Sequence, residues 1–417
     1  MGSCMLPGLS TPHFESNDYL TPSLSPALSR RVKRHVTGVE QVFFVITAPG
    51  IEAVCAQELA ALGIDTARMH VSSGGIEFSG RLRDAYRVHL HSRLSIRVLM
   101  RIRQFTASNF ATLENKVLGV PWELFICPGC GVKLKVSAQQ SRLIHSRAIA
   151  ERVERGLMAR LGQERGQAHA VLSQTLFVRV VRDRFTLSLD ATGEPLYRRG
   201  LKTHGGRAPL RETSAAAMLR LSGYRPDRPL IDPMCGTGTF ALEAALLARN
   251  IAPGWFRTFA FMGWPSFAAR QWAHLRREAQ SRFSDGKRAP IVASDIDPDA
   301  CRRLAECLAA HDLSETVQVL NGDFFDMTPA SVLSKRAQNT PGLIVINPPY
   351  GRRLGTERHG AARFGAIGNK LKADFKGWRF GLLAPAAFVD NRFPIPFTIR
   401  PFDHGGIKAA FLSGEIR

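Results

Sequence analysis

No apolar run in this chain of 417 residues approaches the ~18 consecutive residues that a membrane-spanning helix needs. The first stretch, Met1 to Thr37, also lacks the secretory order of charge followed by an apolar core, because its basic cluster RRVKRH comes last. Rich in Ser and Pro, residues 1–40 read as a disordered leader. Acidic residues are scarce: 35 Asp and Glu stand against 56 Lys and Arg, a formal net charge of +21. Such a field favours polyanions. With no amphipathic anchor and no lipidation motif, nucleic acid is the expected partner rather than an anionic membrane. Cysteine is sparse too. Seven scattered thiols, an odd number, do not make a disulfide framework and fit a reducing cytoplasm. The one CPGC, at 127–130, has no second pair with which to build a structural zinc site. A tight Pro-Gly turn with two incidental thiols is the favoured reading and a reversible disulfide the residual one; no metal is expected. Internal repeats are absent, and no obligate protein partner is evident.

What is present is enough apolar residue, 45%, for ordinary packed cores. The length is too great for one core, so several domains are expected. From Val42, VFFVITA reads as a strand and GIEAVCAQELAALG as a helix closed by Gly63. MHVSSGGIEFSG reads as a pair of short strands, RLRDAYRVHLHSRL as a helix, and SIRVLMRIRQF as a half-buried strand. In that last strand Ile96, Val98, Met100 and Ile102 alternate with Arg97, Leu99, Arg101 and Arg103, giving an arginine-rich outer face. The order β-α-β-β-α-β predicts a ferredoxin-like unit over 41–108. A second small α+β unit spans 109–192, with Ile149, Val153, Leu157 and Leu161 on one helical stripe and two paired strands after it. Residues 193–228, which contain YRRGLKTHGGRAPLRE, read as a cationic linker and a helix. Beyond Pro229 strands alternate with helices, which predicts a parallel, doubly wound sheet over 229–417.

In such sheets ligands bind beyond the carboxyl ends of the strands. Four strand ends here carry polar signatures. DPMCGTGT, Asp232 to Thr239, is a strand, a glycine turn and a helix start, with Gly236 and Gly238 allowing close approach to the backbone and free amides favouring an anion. It lacks Gly-Lys-Ser/Thr, so it is no nucleotide-triphosphate loop. SDID places Asp295 where an acid accepts both hydroxyls of a ribose, while Asp297 before Pro298 suits a helix N-cap. NGDFF offers Asp323 to an amino group and Phe324 to a ring; a polar turn is the plainer reading.

The fourth end is LIVINPPY. Consecutive prolines cannot continue a strand ladder. They fix the backbone so that the Asn347 side chain and the Pro348 carbonyl present two acceptors, with Tyr350 as a flat face. Two acceptors suit the exocyclic amine of a nucleobase. That nitrogen is a poor nucleophile because its lone pair is delocalised, and acceptors holding its protons help localise the pair. Stacking on the ring adds ~1–3 kcal/mol.

Together RRGLKTHGGRAPLRETSAAAMLRLSGY, DPMCGTGTFALEAALLA, NPPYGRRLG and GNKLKADFKGWRFGLL resemble the THUMP-domain class I S-adenosylmethionine-dependent guanine-N2 RNA methyltransferases, whose members modify large-subunit ribosomal RNA or tRNA. The resemblance covers roughly residues 40 to 417. It implies a Rossmann-like methyltransferase sheet behind ferredoxin-like and THUMP units, with S-adenosylmethionine as cofactor and structured RNA as partner. By the same resemblance Asp232, Cys235, Gly236, Gly238 and Thr239 line the methionine moiety, Asp295 and Ile296 meet the ribose side, and Asp323 and Phe324 meet the adenine. Asn347, Pro348, Pro349 and Tyr350 receive the target amine. Cys235 stands where the general loop has glycine, and it is given no nucleophilic role. No cysteine lies near the proline motif, which sets the chain apart from enzymes that methylate pyrimidine carbons. Arg352 and Arg353, directly behind the turn, and Arg97, Arg101 and Arg103 are candidates for RNA phosphates. The alternatives are an adenine-N6 DNA methyltransferase, which normally carries a target-recognition domain, and a non-enzymatic RNA-binding assembly factor.

Overall fold

A computed structural model describes residues 24–127, 129–162, 169–202, 210–284, 289–338, 340–349, 357–388, 393–404 and 407–417. The strands are β1 Gln41–Ile46, β2 Met69–Ser72, β3 Gly75–Gly80, β4 Arg97–Thr106, β5 Cys130–Gln139, β6 His169–Val181 and β7 Arg184–Asp190, then β8 Leu230–Asp232, β9 Ile291–Asp295, β10 Val317–Asn321, β11 Leu343–Ile346, β12 Arg379–Pro385, β13 Thr398–His404 and β14 Ile407–Glu415. The helices are α1 Pro26–Val32, α2 Glu52–Ala61, α3 Leu82–His91, α4 Phe110–Leu118, α5 Ser146–Leu161, α6 Glu212–Leu221, α7 Thr239–Ala248, α8 Ala269–Gln280, α9 Pro298–Ala310, α10 Pro329–Val332, α11 Lys335–Gln338 and α12 Glu357–Asp374.

The first seven strands make one sheet, in the order β2-β3-β1-β4-β7-β6-β5. Its first four strands pair antiparallel in the split β-α-β order of a ferredoxin-like unit. The remaining strands join at β4, where β7 pairs antiparallel from Leu99↔Asp190 to Thr106↔Arg184. The two small units therefore share one sheet. A bulge between Arg101 and Arg103 breaks the alternation read along β4, leaving Ile102 only half buried. Strand β5 was not anticipated, although Val132, Leu134, Val136 and Ala138 alternate with Lys133, Lys135, Ser137 and Gln139 along it.

The leader differs from the expected disorder. Residues 26–37 form α1 and a short π-helix, with Val32 and Val36 buried and Arg31 bonded to Glu123 at 2.8 Å. The apolar spacing Leu28, Val32, Val36 is helical, and a stripe at that spacing finds the core despite the surrounding charge.

The second sheet runs β10-β9-β8-β11-β12-β14-β13. From β10 to β12 every pairing is parallel. The last two strands turn back as an antiparallel pair, so the sheet is mixed rather than wholly parallel. Strand order reverses between β8 and β11, and this is the switch point at which such folds bind ligands. The two halves share a core. Tyr86 on α3 stacks on Phe261 at 4.5 Å between ring centres, and Trp272 on α8 meets both rings edge-on. Backbone bonds from Ala260 to Thr192 and from Phe261 to Ala191 tie the halves together. No helix among the described residues is long and apolar enough to cross a membrane.

Candidate active site

The parallel register sets Asp232, Asp295, Asn321 and Asn347 at one edge of the second sheet. Asp232 pairs with Ala293 in β9, Asn321 with Asp295, and Ile344 in β11 with Ile231 in β8. Asp232 is 1% exposed, and among the described residues neither of its carboxylate oxygens has a partner at full hydrogen-bond geometry. Burial, reinforced by the charge of Asp295 and only partly offset by the Ala241 amide, pushes its carboxyl well above the ordinary carboxylate range. On the adjoining strand the Oδ1 of Asn347 is likewise buried without a partner among the described residues. Buried acceptors left unpaired are uncommon in folded proteins, because each loses its hydration for nothing in return. Two of them, at neighbouring strand ends beside the switch point, point to a ligand that donates.

The loop after β8 is shaped by its glycines. Gly236 and Gly238 have φ of +52° and +74°. A Cβ on Gly238 would lie 2.7 Å from Cδ2 and 3.0 Å from Cγ of Leu304 on α9, so only glycine fits there. The Gly236 amide donates to Asp295 Oδ2 at 2.7 Å, and the Asp297 amide to Asp295 Oδ1 at 3.0 Å. Asp295 thus holds the loop in shape, with lone pairs to spare. Ile296 beside it is 68% exposed. Helix α7 opens at Gly238 without a side-chain cap, and the Ala241 amide of its first turn is felt at Asp232. Cys235 is buried, and burial followed by the charge of Asp232 raises its thiol far from ionisation. A nucleophilic role is out of keeping with that.

Other residues read from the sequence fall differently. Asp323 caps the short turn after β10, accepting from the Phe325 amide at 3.0 Å. Phe324 is 1% exposed, its ring packed among Phe325 and Phe375, so the ring is a core element and not a cover for a base. Lys370 on α12 pins that turn by donating to the Phe325 carbonyl at 2.7 Å. Arg97 pairs with Asp190 and donates to the Gly193 carbonyl at 2.7 Å. Arg101 donates to Glu77 at 3.1 Å and Ser188 at 3.0 Å and lies 4.3 Å from the centre of the Phe44 ring. These two guanidiniums stitch strands together, which removes them from the phosphate contacts expected of them; Arg103 is exposed. Tyr350, Arg352 and Arg353 lie outside the described residues.

Sequence reasoning missed the inner half of the supposed linker. Arg199 is 2% exposed and donates to Glu243 of α7 at 2.8 Å; Arg93 of the first half reaches the other oxygen of the same carboxylate at 3.4 Å. Asn321 was missed as well; its amide donates to the Asp295 carbonyl at 2.9 Å and joins two of the site's strand ends. Its position in NGDFF, at the strand end itself, was the available signal. Among the described residues, no group of three or more His, Cys, Asp and Glu side chains is arranged to hold a metal.

Comparison with known proteins agrees with this geometry. The family model described as an RMKL-like methyltransferase domain matches residues 199–390, and that of the RlmL ferredoxin-like domain matches residues 42–99. A relative from Synechocystis, named "Putative RNA methyltransferase slr0064", is 31% identical over 380 residues, covering 90% of this chain and 96% of its own. The ribosomal RNA large subunit methyltransferase K/L of Methylococcus capsulatus is 33% identical over 369 residues, covering 86% of this chain and 48% of its own, so the chain spans about half the length of that relative. Among solved structures, SMU.472 complexed with SAH has a TM-score of 0.79 at 25% identity, covering 91% of this chain and 99% of its own. A Listeria monocytogenes protein titled "predicted N6-adenine-specific DNA methylase" has the same score and identity, covering 94% and 98%. The orphaned Asp232, the glycine cradle and the exposed Ile296 fit the sulfonium nucleoside that such enzymes use. The chain belongs to the RMKL-like methyltransferase family, with an RlmL ferredoxin-like domain ahead of its catalytic sheet and S-adenosylmethionine as its cofactor.

Proposed function

We propose that the chain methylates the exocyclic N2 amine of a guanosine in structured RNA, with large-subunit ribosomal RNA as the first candidate and tRNA as the second. The observation that carries this reading is the buried, unpartnered Oδ1 of Asn347 at the end of β11, one residue before two prolines and on the strand next to Asp232. The bound cofactor supplies a methyl group on cationic sulfur, and the protein supplies placement. Asn347 Oδ1 and the Pro348 carbonyl accept hydrogen bonds from the two amine N–H groups, which turns the nitrogen lone pair out of conjugation and towards the sulfonium methyl. Tyr350 stacks on the base once it has left its helix. The amine proton departs late, to solvent, so no strong base is needed. Asp232 takes the ammonium of the methionyl group, and Asp295 and Ile296 the nucleoside end. For Asp323 the adenine contact is made from its turn rather than through Phe324.

RNA recognition is assigned to the first half, with residues 109–192 as a THUMP-like unit, 193–228 as the connection and 229–417 as the catalytic domain. Cross-strand pairs Lys135↔Phe177 and Ser137↔Arg179 place exposed Lys133, Lys135 and Arg179 on one sheet face with Phe177, opposite the buried Leu176, Val178 and Val180. Cations beside an aromatic ring suit phosphate and base together. Exposed Arg103, in register with Leu187 and Val178, lies off that face; it and Arg352 and Arg353, which follow the catalytic turn in sequence, are further candidates for RNA phosphates. The name of the Methylococcus relative supports ribosomal RNA. The name of the Listeria structure supports a second reading, adenine-N6 methylation of DNA. A cytoplasmic location follows from either substrate.

The test uses Asn347→Ala with radiolabelled S-adenosylmethionine and matched RNA and DNA acceptors, followed by nucleoside mass analysis. Expected are N2-methylguanosine from RNA with the wild type, a loss of about a hundredfold or more in kcat for the variant, and unchanged cofactor affinity. N6-methyladenine from DNA would establish the second reading, and a fully active variant would refute the acceptor argument.

A further inference from the structure

The methionyl end of the cofactor is a zwitterion. Asp232 answers its ammonium, but a pocket with Asp232 and Asp295 alone would repel its carboxylate. A matching cation stands in the connection between the two halves. Lys202 lies at the start of α7, its Nζ 2.7 Å from Thr239 Oγ1 and 3.3 Å from Thr237 Oγ1. These hydroxyls flank Gly238, and the helix that begins there has no side-chain cap. Glu212 at the start of α6 lies 3.6 Å from the same ammonium, an ion pair beyond hydrogen-bond range. An ammonium carries three protons. Two meet the threonines, and the third has no acceptor within hydrogen-bond range among the described residues. The charge of Lys202 is also felt at Asp232.

The chain brings Lys202 there by a rigid route. Arg199, three residues earlier, is clamped on Glu243, one helical turn beyond Thr239. Gly200 passes so close to the Phe256 carbonyl that no side chain fits. Through Lys202 the connection is thus held against α7, with the ammonium at the helix start. Two threonine hydroxyls and a lysine at the start of a helix suit a carboxylate, and the buried Asp232, at the other end of the same loop, suits the ammonium.

We propose that Lys202 is the counter-charge for the α-carboxylate of S-adenosylmethionine, and that it makes the pocket select the intact amino-acid tail. The distinguishing probe is decarboxylated S-adenosylmethionine, which keeps the sulfonium, the nucleoside and the amine and lacks only the carboxylate. Titration calorimetry on the full chain compares both ligands with the wild type, Lys202→Met and Lys202→Arg. The wild type prefers the intact cofactor. Lys202→Met loses about tenfold or more in affinity for it, the scale of one charged hydrogen bond, and binds the decarboxylated ligand as the wild type does. Lys202→Arg keeps the preference. Equal weakening of both ligands in Lys202→Met would make Lys202 a structural support and overturn the proposal, as would a preference that survives the substitution. A wild type that binds neither sulfonium would instead refute the cofactor assignment on which the proposal rests.

Discussion

Replacing Gly238 by alanine isolates the two demands that the cofactor loop makes on its backbone. The residue has φ of +74°, where an L side chain costs about 1–2 kcal/mol. The new methyl would also enter the space of Leu304, whose Cγ, Cδ1 and Cδ2 all lie in its way. Leu304 is 1% exposed, so its whole head must shift within a packed core, an overpacking cost of about 1–3 kcal/mol. The sum is a loss of about 2–5 kcal/mol. Gly236 supplies the control within the same loop. Its φ is +52°, but a Cβ there meets nothing within 4 Å. Gly236→Ala therefore carries only the backbone part, about 1–2 kcal/mol. Urea denaturation of both variants, followed by circular dichroism, gives the difference. Adding Leu304→Ala to Gly238→Ala relieves the overlap, and the cycle yields a favourable coupling between the two sites. If the two glycine variants lose the same stability within about 0.5 kcal/mol, packing against α9 does not shape the loop and the reasoning fails.

Two further outcomes are expected. Glu243→Gln leaves the 2%-exposed Arg199 without its counter-charge and lowers stability by about 3–5 kcal/mol in the same denaturation assay; a loss under about 1 kcal/mol would contradict a shared clamp. Asp232→Asn changes how unliganded stability depends on pH. An unfolded aspartate ionises near 3.8, whereas burial and Asp295 raise the folded value well above that. Below 3.8 the proton is bound in both states and nothing is lost. As pH rises from there towards the folded value, stability drains from the native chain, because only the unfolded state ionises freely. The asparagine variant escapes this, so its thermal advantage over the native protein grows from acid to neutral pH, while its affinity for S-adenosylmethionine falls. A pH-independent difference in melting temperature would refute the assignment.

The strand ends of the catalytic half were legible because each combines an apolar run with an abrupt polar stop, as Asp232, Asp295 and Asn347 show. Local grammar of that kind survives without knowledge of tertiary partners. Arg97 and Arg101 illustrate the reverse. Their alternation announced an outer face, but whether that face meets RNA or another strand depended on Asp190, Ser188 and Glu77, which arrive from β7 and β3. Phe324 misled for a related reason: an aromatic after a strand-end acid is equally suited to a ligand or to the core, and Phe375, directly after α12, decided the matter. The connection around Arg199 looked solvated because glycine and cations dominate it. Its signal lay elsewhere, in the lone Glu243 within TFALEAALLA, a carboxylate that an apolar helix tolerates only with a buried partner.

The antiparallel seam between β4 and β7 has a consequence for anyone who would divide the protein. Cutting after residue 108 would separate two motifs that look self-contained on paper, yet it would strip the long central strand β4 of its neighbour from Leu99 to Thr106 and leave Arg97 without its acid. The bared backbone would seek another chain. The N-terminal half is thus a single plate, whose two motifs stand or fall together.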